Sequence, residues 1–190
     1  MSQDASTGPG EARRETERLD RLADRIRAVP DFPKPGILFR DITPLLADPA
    51  AFTTSIDLFA ERFAGHRVDA IVGIESRGFI FGAALAARLT ASFVPARKPG
   101  KLPAATDRVE YALEYGTDAL ELHRDALPPG SRALLVDDLL ATGGTAEAAL
   151  TLMRGQGAQV VGAAFVIEIE ALGGRQRLGG DLRCETLLRY

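Results

Sequence analysis

The sequence has a single cysteine, Cys184, which excludes an internal disulfide and a cysteine-based metal cluster and fits a reducing compartment. Its two histidines, His66 and His123, have no partners at metal-ligand spacing, and both read as surface residues. Lysine is scarce as well: Lys34, Lys98 and Lys101 are the only ones, and every other cation is arginine. No apolar run reaches membrane-spanning length, and the N-terminus lacks the basic–apolar–small pattern of a secretory signal. A soluble, cytoplasmic protein is the expectation. The net charge of −3 implies no general attraction to nucleic acid or to a membrane surface. No internal repeat is evident. The chain does have 190 residues, 46% of them hydrophobic, enough for one domain with a proper core.

The organising stretch is Arg132-Ala-Leu-Leu-Val-Asp-Asp-Leu-Leu-Ala-Thr-Gly-Gly-Thr-Ala146. Ala133 to Val136 reads as a buried strand. Asp137 and Asp138 follow, then a turn carrying Ala141, Thr142, Gly143, Gly144 and Thr145. A helical pattern opens at once, with Ala146, Ala149, Leu150 and Met153 on one face. Glycines let the backbone turn tightly and approach a ligand. Their N–H groups, with those at the start of the helix, form an anion cradle that suits a phosphate monoester. The two acids repel phosphate and suit a neighbouring hydrogen-bond donor such as a sugar diol. In a regular strand they point to opposite faces, so a joint role requires the strand to be ending there. The ligand so described is a ribose 5-phosphate.

Met1 to about Thr16 is polar and reads as a disordered tail, with a single domain over 17–190. Glu17 to Ala28 has helical spacing and is expected to stop before Pro30. The proline-rich run from Pro30 to Gly36 is a stiff loop, Ile37 to Phe39 is a short strand candidate, and the core occupies about 50–190. Val68 to Ile74 is a buried parallel strand running into Glu75-Ser76-Arg77-Gly78 and a second helix. That turn repeats the logic of the first, with a cation added. Its plain alternative is a structural Glu75–Arg77 ion pair. Arg97, Lys98 and Lys101 then crowd three cations into five residues, a pattern that by itself reads as a solvated loop. Alternation around Tyr111–Gly116 and Leu120–His123 suggests a two-stranded flap over about 99–123, with Pro103 to Asp107 mobile. Ala158 to Ile169 reads as a core strand, Glu168 and Glu170 as surface or structural, and Cys184 to Leu188 as the last strand.

The organising stretch closely resembles the phosphoribosyl pyrophosphate motif of type I phosphoribosyltransferases. Its wording, Val-Asp-Asp-Leu-Leu-Ala-Thr-Gly-Gly-Thr, is close to that of the adenine phosphoribosyltransferases, and the resemblance covers roughly Pro30 to Leu188. It implies an α/β fold with a mainly parallel sheet flanked by helices, an N-terminal hood at about 30–46, and a flexible flap. It also implies the reaction of adenine with phosphoribosyl pyrophosphate to give AMP and pyrophosphate, with Mg²⁺ carried by substrate and water oxygens and no direct protein ligand. By the same resemblance, the hood residues Leu38, Phe39 and Arg40 hold adenine. Ser76, Arg77, Arg97, Lys98 and Lys101 hold pyrophosphate, and Ala141 to Thr145 with the two acids hold ribose 5-phosphate. Glu114 is implied to move the purine proton, beside Tyr115 on the flap. A homodimer is implied too.

Two rivals stay in view. A hypoxanthine–guanine enzyme typically reads the 6-oxo group with a lysine after the ribose-phosphate loop, and this chain has none after Lys101; orotate is disfavoured by the hood wording. A non-catalytic nucleotide sensor usually carries an added DNA-binding domain, for which the residues before Pro30 are too few.

Overall fold

The computed structural model describes residues 9–112 and 116–190. The chain divides into two compact units, residues 1–55 and 56–190.

In the first unit, helix α1 spans Pro9–Ala23. Residues 9–16 are therefore helical rather than part of a tail. Pro9 suits a first helical position, and an Arg13–Glu17 pair four residues apart supports the early turns at 3.0 Å. The helix also ends before the expected Ala28. Arg25 N–H donates to Leu22 O and Ile26 N–H to Ala23 O, which tightens the last turn. Residues 27–30 then form strand β1 (Arg27–Pro30), antiparallel to β2 (Leu38–Asp41). Backbone pairing with β2 is what removes these residues from the helix. Asp31 Oδ1 accepts from Gly36 N–H at 2.8 Å and closes the proline-rich loop. Helix α2 (Thr43–Ala47) follows, and helix α3 (Pro49–Arg62) carries the boundary between the units.

The second unit is built on one sheet with strand order β4-β3-β7-β8-β9, every pair parallel. The strands are β3 (Ala70–Ile74), β4 (Ser92–Ala96), β7 (Arg132–Leu140), β8 (Gln159–Glu168) and β9 (Cys184–Arg189). Helix α4 (Gly78–Leu89) links β3 to β4, and α5 (Gly144–Gly155) links β7 to β8. A sheet covered on both faces needs strands that are apolar throughout. β3 and the first half of β7 meet that need: Ala70 to Ile74 and Ala133 to Val136 are all buried. Ala133, Leu135, Ala163 and Phe165 pack with Ala149, Leu150 and Met153 of α5 in one apolar cluster. The predicted α/β architecture and its parallel sheet are present.

The predicted flap is an antiparallel ribbon of β5 (Thr106–Ala112) and β6 (Thr117–His123). It is rooted in the core, because Tyr111, Leu120 and Leu122 belong to the same apolar cluster as α5. Gln156 at the end of α5 donates to Asp107 Oδ2 and to His123 O, at 3.0 and 2.8 Å. Residues 106–107, expected to be mobile, are thus paired strand. Both histidines are half-buried rather than fully at the surface. A short helix, α6 (Gly174–Leu178), precedes β9.

Candidate active site

β7 is the longest reach of the site. Its pairing with β3 stops at Gly73 opposite Val136, while its pairing with β8 runs on to Leu140 opposite Glu168. Past Val136 one edge of β7 is therefore open. The strand does not end at the acids, contrary to the expectation from their joint role, but runs on to Leu140. Instead that open edge lies along a cavity of about 310 Å³, lined by Asp137, Asp138, Leu139 and Leu140 in succession. Ala141 to Ala146 continue the same wall, and Ile74, Glu75, Ser76, Arg77 and Lys98 form the rest. This is the carboxyl end of the parallel strands, where ligands of open α/β sheets bind.

Gly143 caps α5 with φ +82°, a backbone conformation that glycine adopts without strain. The cap carries no side-chain hydrogen bond, and Gly144, Thr145 and Ala146 at the start of α5 line the cavity. An anion there meets both the first N–H groups of the helix and its dipole.

The two acids sit side by side, Asp138 buried and Asp137 half-buried. Asp138 is 5% exposed, and Asp137 Oδ1 accepts from Asp138 N–H at 2.9 Å. Burial, then the Asp138 charge, push the Asp137 carboxyl well above the ordinary carboxylate range. Burial also raises Asp138, against the pull of the Arg77 guanidinium, whose Nε lies 2.8 Å from Asp138 Oδ2. Two like charges held this close are each disfavoured, and a ligand that supplies donors or positive charge relieves both. Gly78 makes this packing feasible: a Cβ there would lie 2.7 Å from Asp137 Oδ1 and 2.9 Å from Val136 O.

Each predicted pyrophosphate cation has an acidic partner, and Arg97 and Lys101 share one. Arg77 pairs with Asp138. Glu75 instead gathers the later cluster. It accepts from Arg97 Nε and Nη2 at 3.3 Å each, from Lys98 N–H at 3.1 Å and from Lys101 Nζ at 2.7 Å. Burial alone would raise its pKa, but these donors together hold it down at about 2. Lys98 Nζ bonds Asp118, and Tyr111 Oη at 2.8 Å. Burial works against its charge, yet these partners outweigh it and raise its pKa. Glu121 Oε2 takes Gly100 N–H at 3.1 Å. The cations that reading along the sequence called a solvated loop are folded back onto the end of β3.

Leu38, Phe39 and Arg40 form β2 in the first unit, with Leu38 51% exposed and Phe39 set edge-to-face on Phe32 at 5.1 Å. Glu114 and Tyr115 lie outside the described residues.

Residues 41–180 match the model of the phosphoribosyl transferase domain. A protein from Sorangium cellulosum named adenine phosphoribosyltransferase is 68% identical over 157 residues, spanning 83% of this chain and 78% of that relative. The chain belongs to the adenine phosphoribosyltransferases. The crystal structure of the family's Rhodothermus marinus member is 50% identical with a TM-score of 0.88, covering 92% of this chain and 99% of that one. The Saccharomyces cerevisiae member, solved with an imino-altritol bisphosphate and adenine, is 40% identical with a TM-score of 0.86, covering 90% and 99%. The role of Glu75 as the hub of the cation cluster was hidden in the sequence because its partners lie 22 to 26 residues away, and Asp118 and Tyr111 reach Lys98 across 20 and 13 residues.

Proposed function

We propose that this chain transfers the phosphoribosyl group of phosphoribosyl pyrophosphate to adenine, giving AMP and pyrophosphate in purine salvage. One observation carries the residue assignment: an acid pair and a glycine-rich helix start line a single cavity, with cations on its other wall. The 5-phosphate sits on Ala141–Thr145 and the first N–H groups of α5. Asp137 and Asp138 take the ribose hydroxyls, which donate hydrogen bonds to the two carboxylates. As the bond from C1′ to pyrophosphate breaks, positive charge grows on the ribose ring and the carboxylates favour it. Arg77, Arg97, Lys98 and Lys101 take the leaving pyrophosphate, exchanging their carboxylate partners for it, and Ser76 adds a hydroxyl. The backbone of Leu38 and Arg40, with Phe39, reads adenine, and Glu114, beside Tyr115, takes the purine proton.

Among the described residues no cluster of three or more His, Cys, Asp or Glu side chains is arranged to hold a metal. The donor set fits a hard cation borne by substrate and water oxygens, with Asp137, Asp138 and Glu75 as the carboxylates within the cavity wall. Mg²⁺ bound in that way neutralises pyrophosphate charge. We place the enzyme in the cytoplasm as a homodimer; analytical ultracentrifugation tests the latter. Among the described residues no helix is long and apolar enough to cross a membrane.

Incubation with adenine, phosphoribosyl pyrophosphate and Mg²⁺, followed by chromatography, tests the reading. AMP is the expected product. A folded protein that forms none would overturn it.

A further inference from the structure

The stretch Gly173-Gly174-Arg175 plays no part in the chemistry above, yet it lies directly behind the phosphate loop. A Cβ on Gly174 would stand 2.3 Å from Ala141 O and 3.0 Å from Leu140 Cδ1. From the other side, a Cβ on Gly143 would stand 2.8 Å from Gly174 O. Backbone therefore rests on backbone, with no room for a side chain. The inner side of Ala141 and Gly143 faces the cavity, so α6 forms the back of the loop.

α6 is itself held firmly. Arg175 donates to both oxygens of Glu168 at the end of β8, with contacts of 3.0 and 2.6 Å. Its Nη1 donates to Cys184 O at 2.6 Å and its Nη2 to Thr186 Oγ1 at 3.1 Å, both on β9. Glu168 is 4% exposed, and Thr186 Oγ1 also donates to it at 3.1 Å, so this buried carboxylate is well satisfied. Arg177 Nε pairs with Glu147 Oε2, in the first turn of α5, at 2.7 Å. Leu178 closes the helix onto the core. The ends of β8 and β9 are thereby connected through α6 to the loop that holds the anion.

We propose that Gly174 and Arg175 are positioning residues for the 5-phosphate: they touch no substrate, and they fix Ala141–Thr145 where its N–H groups converge. This rests on the reading of that loop as the 5-phosphate site. Displacing the loop removes hydrogen bonds to the phosphate and leaves contacts to the base and ribose intact.

The test compares affinities for AMP and adenosine by titration calorimetry in wild type, Gly174→Ala and Arg175→Lys. The ratio of the two dissociation constants isolates the phosphate's share. Arg175→Lys keeps a positive charge beside Glu168 and loses the fork that reaches β9. The ratio is expected to shrink about tenfold in Gly174→Ala, the scale of one lost charge-assisted hydrogen bond, and about threefold in Arg175→Lys. Should Gly174→Ala prove insoluble, the ratio in Arg175→Lys decides. A lowered melting temperature with an unchanged ratio makes the contacts merely structural and overturns the proposal. A wild-type ratio near one removes the 5-phosphate reading itself, and the proposal with it.

Discussion

Replacing Glu75 by glutamine removes the one negative charge that gathers Arg97, Lys101 and the Lys98 N–H at the end of β3. The hydrogen-bonding carboxylate holds its pKa at about 2, against an ordinary value of 4.5. That depression corresponds to roughly 3 kcal/mol of favourable interaction as a ceiling. Arg97 and Lys101 are 31% and 49% exposed, and water screening brings the expected loss in Glu75→Gln to about 1–2 kcal/mol. The sign of the pH effect follows from the direction of the shift. A depressed carboxylate stabilises the fold above its unfolded pKa and ceases to do so as pH falls through its folded one. Urea unfolding of the two proteins is therefore expected to show the full gap at pH 7 and a narrower one at pH 3. The freed cations also meet pyrophosphate without a competing anion, so inhibition by added pyrophosphate should strengthen by roughly fivefold. Equal stability at pH 7, or a gap indifferent to pH, would refute the ion-pair reasoning. Unchanged pyrophosphate inhibition would show that this cluster does not receive the product.

Asp137→Asn and Asp138→Asn should both fold and lose about 10²–10³ in kcat/KM, because an amide cannot favour positive charge on the ribose. Circular dichroism alongside initial rates checks both halves of that expectation, and a full rate in either variant removes that acid's role. Gly78→Ala forces a methyl against Asp137 Oδ1 and Val136 O, so a stability loss of about 1–3 kcal/mol is expected together with lower activity. Cys184, raised to about 11 mainly by burial, should resist iodoacetamide at pH 8 in the native protein and react on unfolding, as mass spectrometry would report.

The sheet was legible because its strands obey one simple rule. β3 and the start of β7 are apolar at every position, as a sheet covered on both faces demands, and the glycine-rich turn after β7 announces a helix start. The ends of elements were less legible. The helical reading ran to Ala28, yet pairing of 27–30 with 38–41 makes its last residues strand, and a partner that far along the chain leaves no mark on local periodicity. The acid pair was recognised for its chemistry, although its geometry came out differently: β7 continues past the acids, and they share a cavity because β3 is shorter than β7. Glu168 read as a surface or structural residue, and the structural branch holds: it is a buried carboxylate paired with Arg175. Glu75 and the Gly174 contact were the least visible. Their partners are assembled only by the fold, and a glycine that abuts a distant carbonyl looks in sequence like any other turn.

Pyrophosphate release from phosphoribosyl pyrophosphate and Mg²⁺, with adenine, hypoxanthine, guanine and orotate offered separately, tests the central claim most directly. Release with adenine alone is the predicted result. Release with a 6-oxopurine would keep the ribose-phosphate site and contradict the assignment of the base. Failure with every base, from folded protein that still binds the donor, would contradict catalysis itself and point to a sensor of the nucleotide donor.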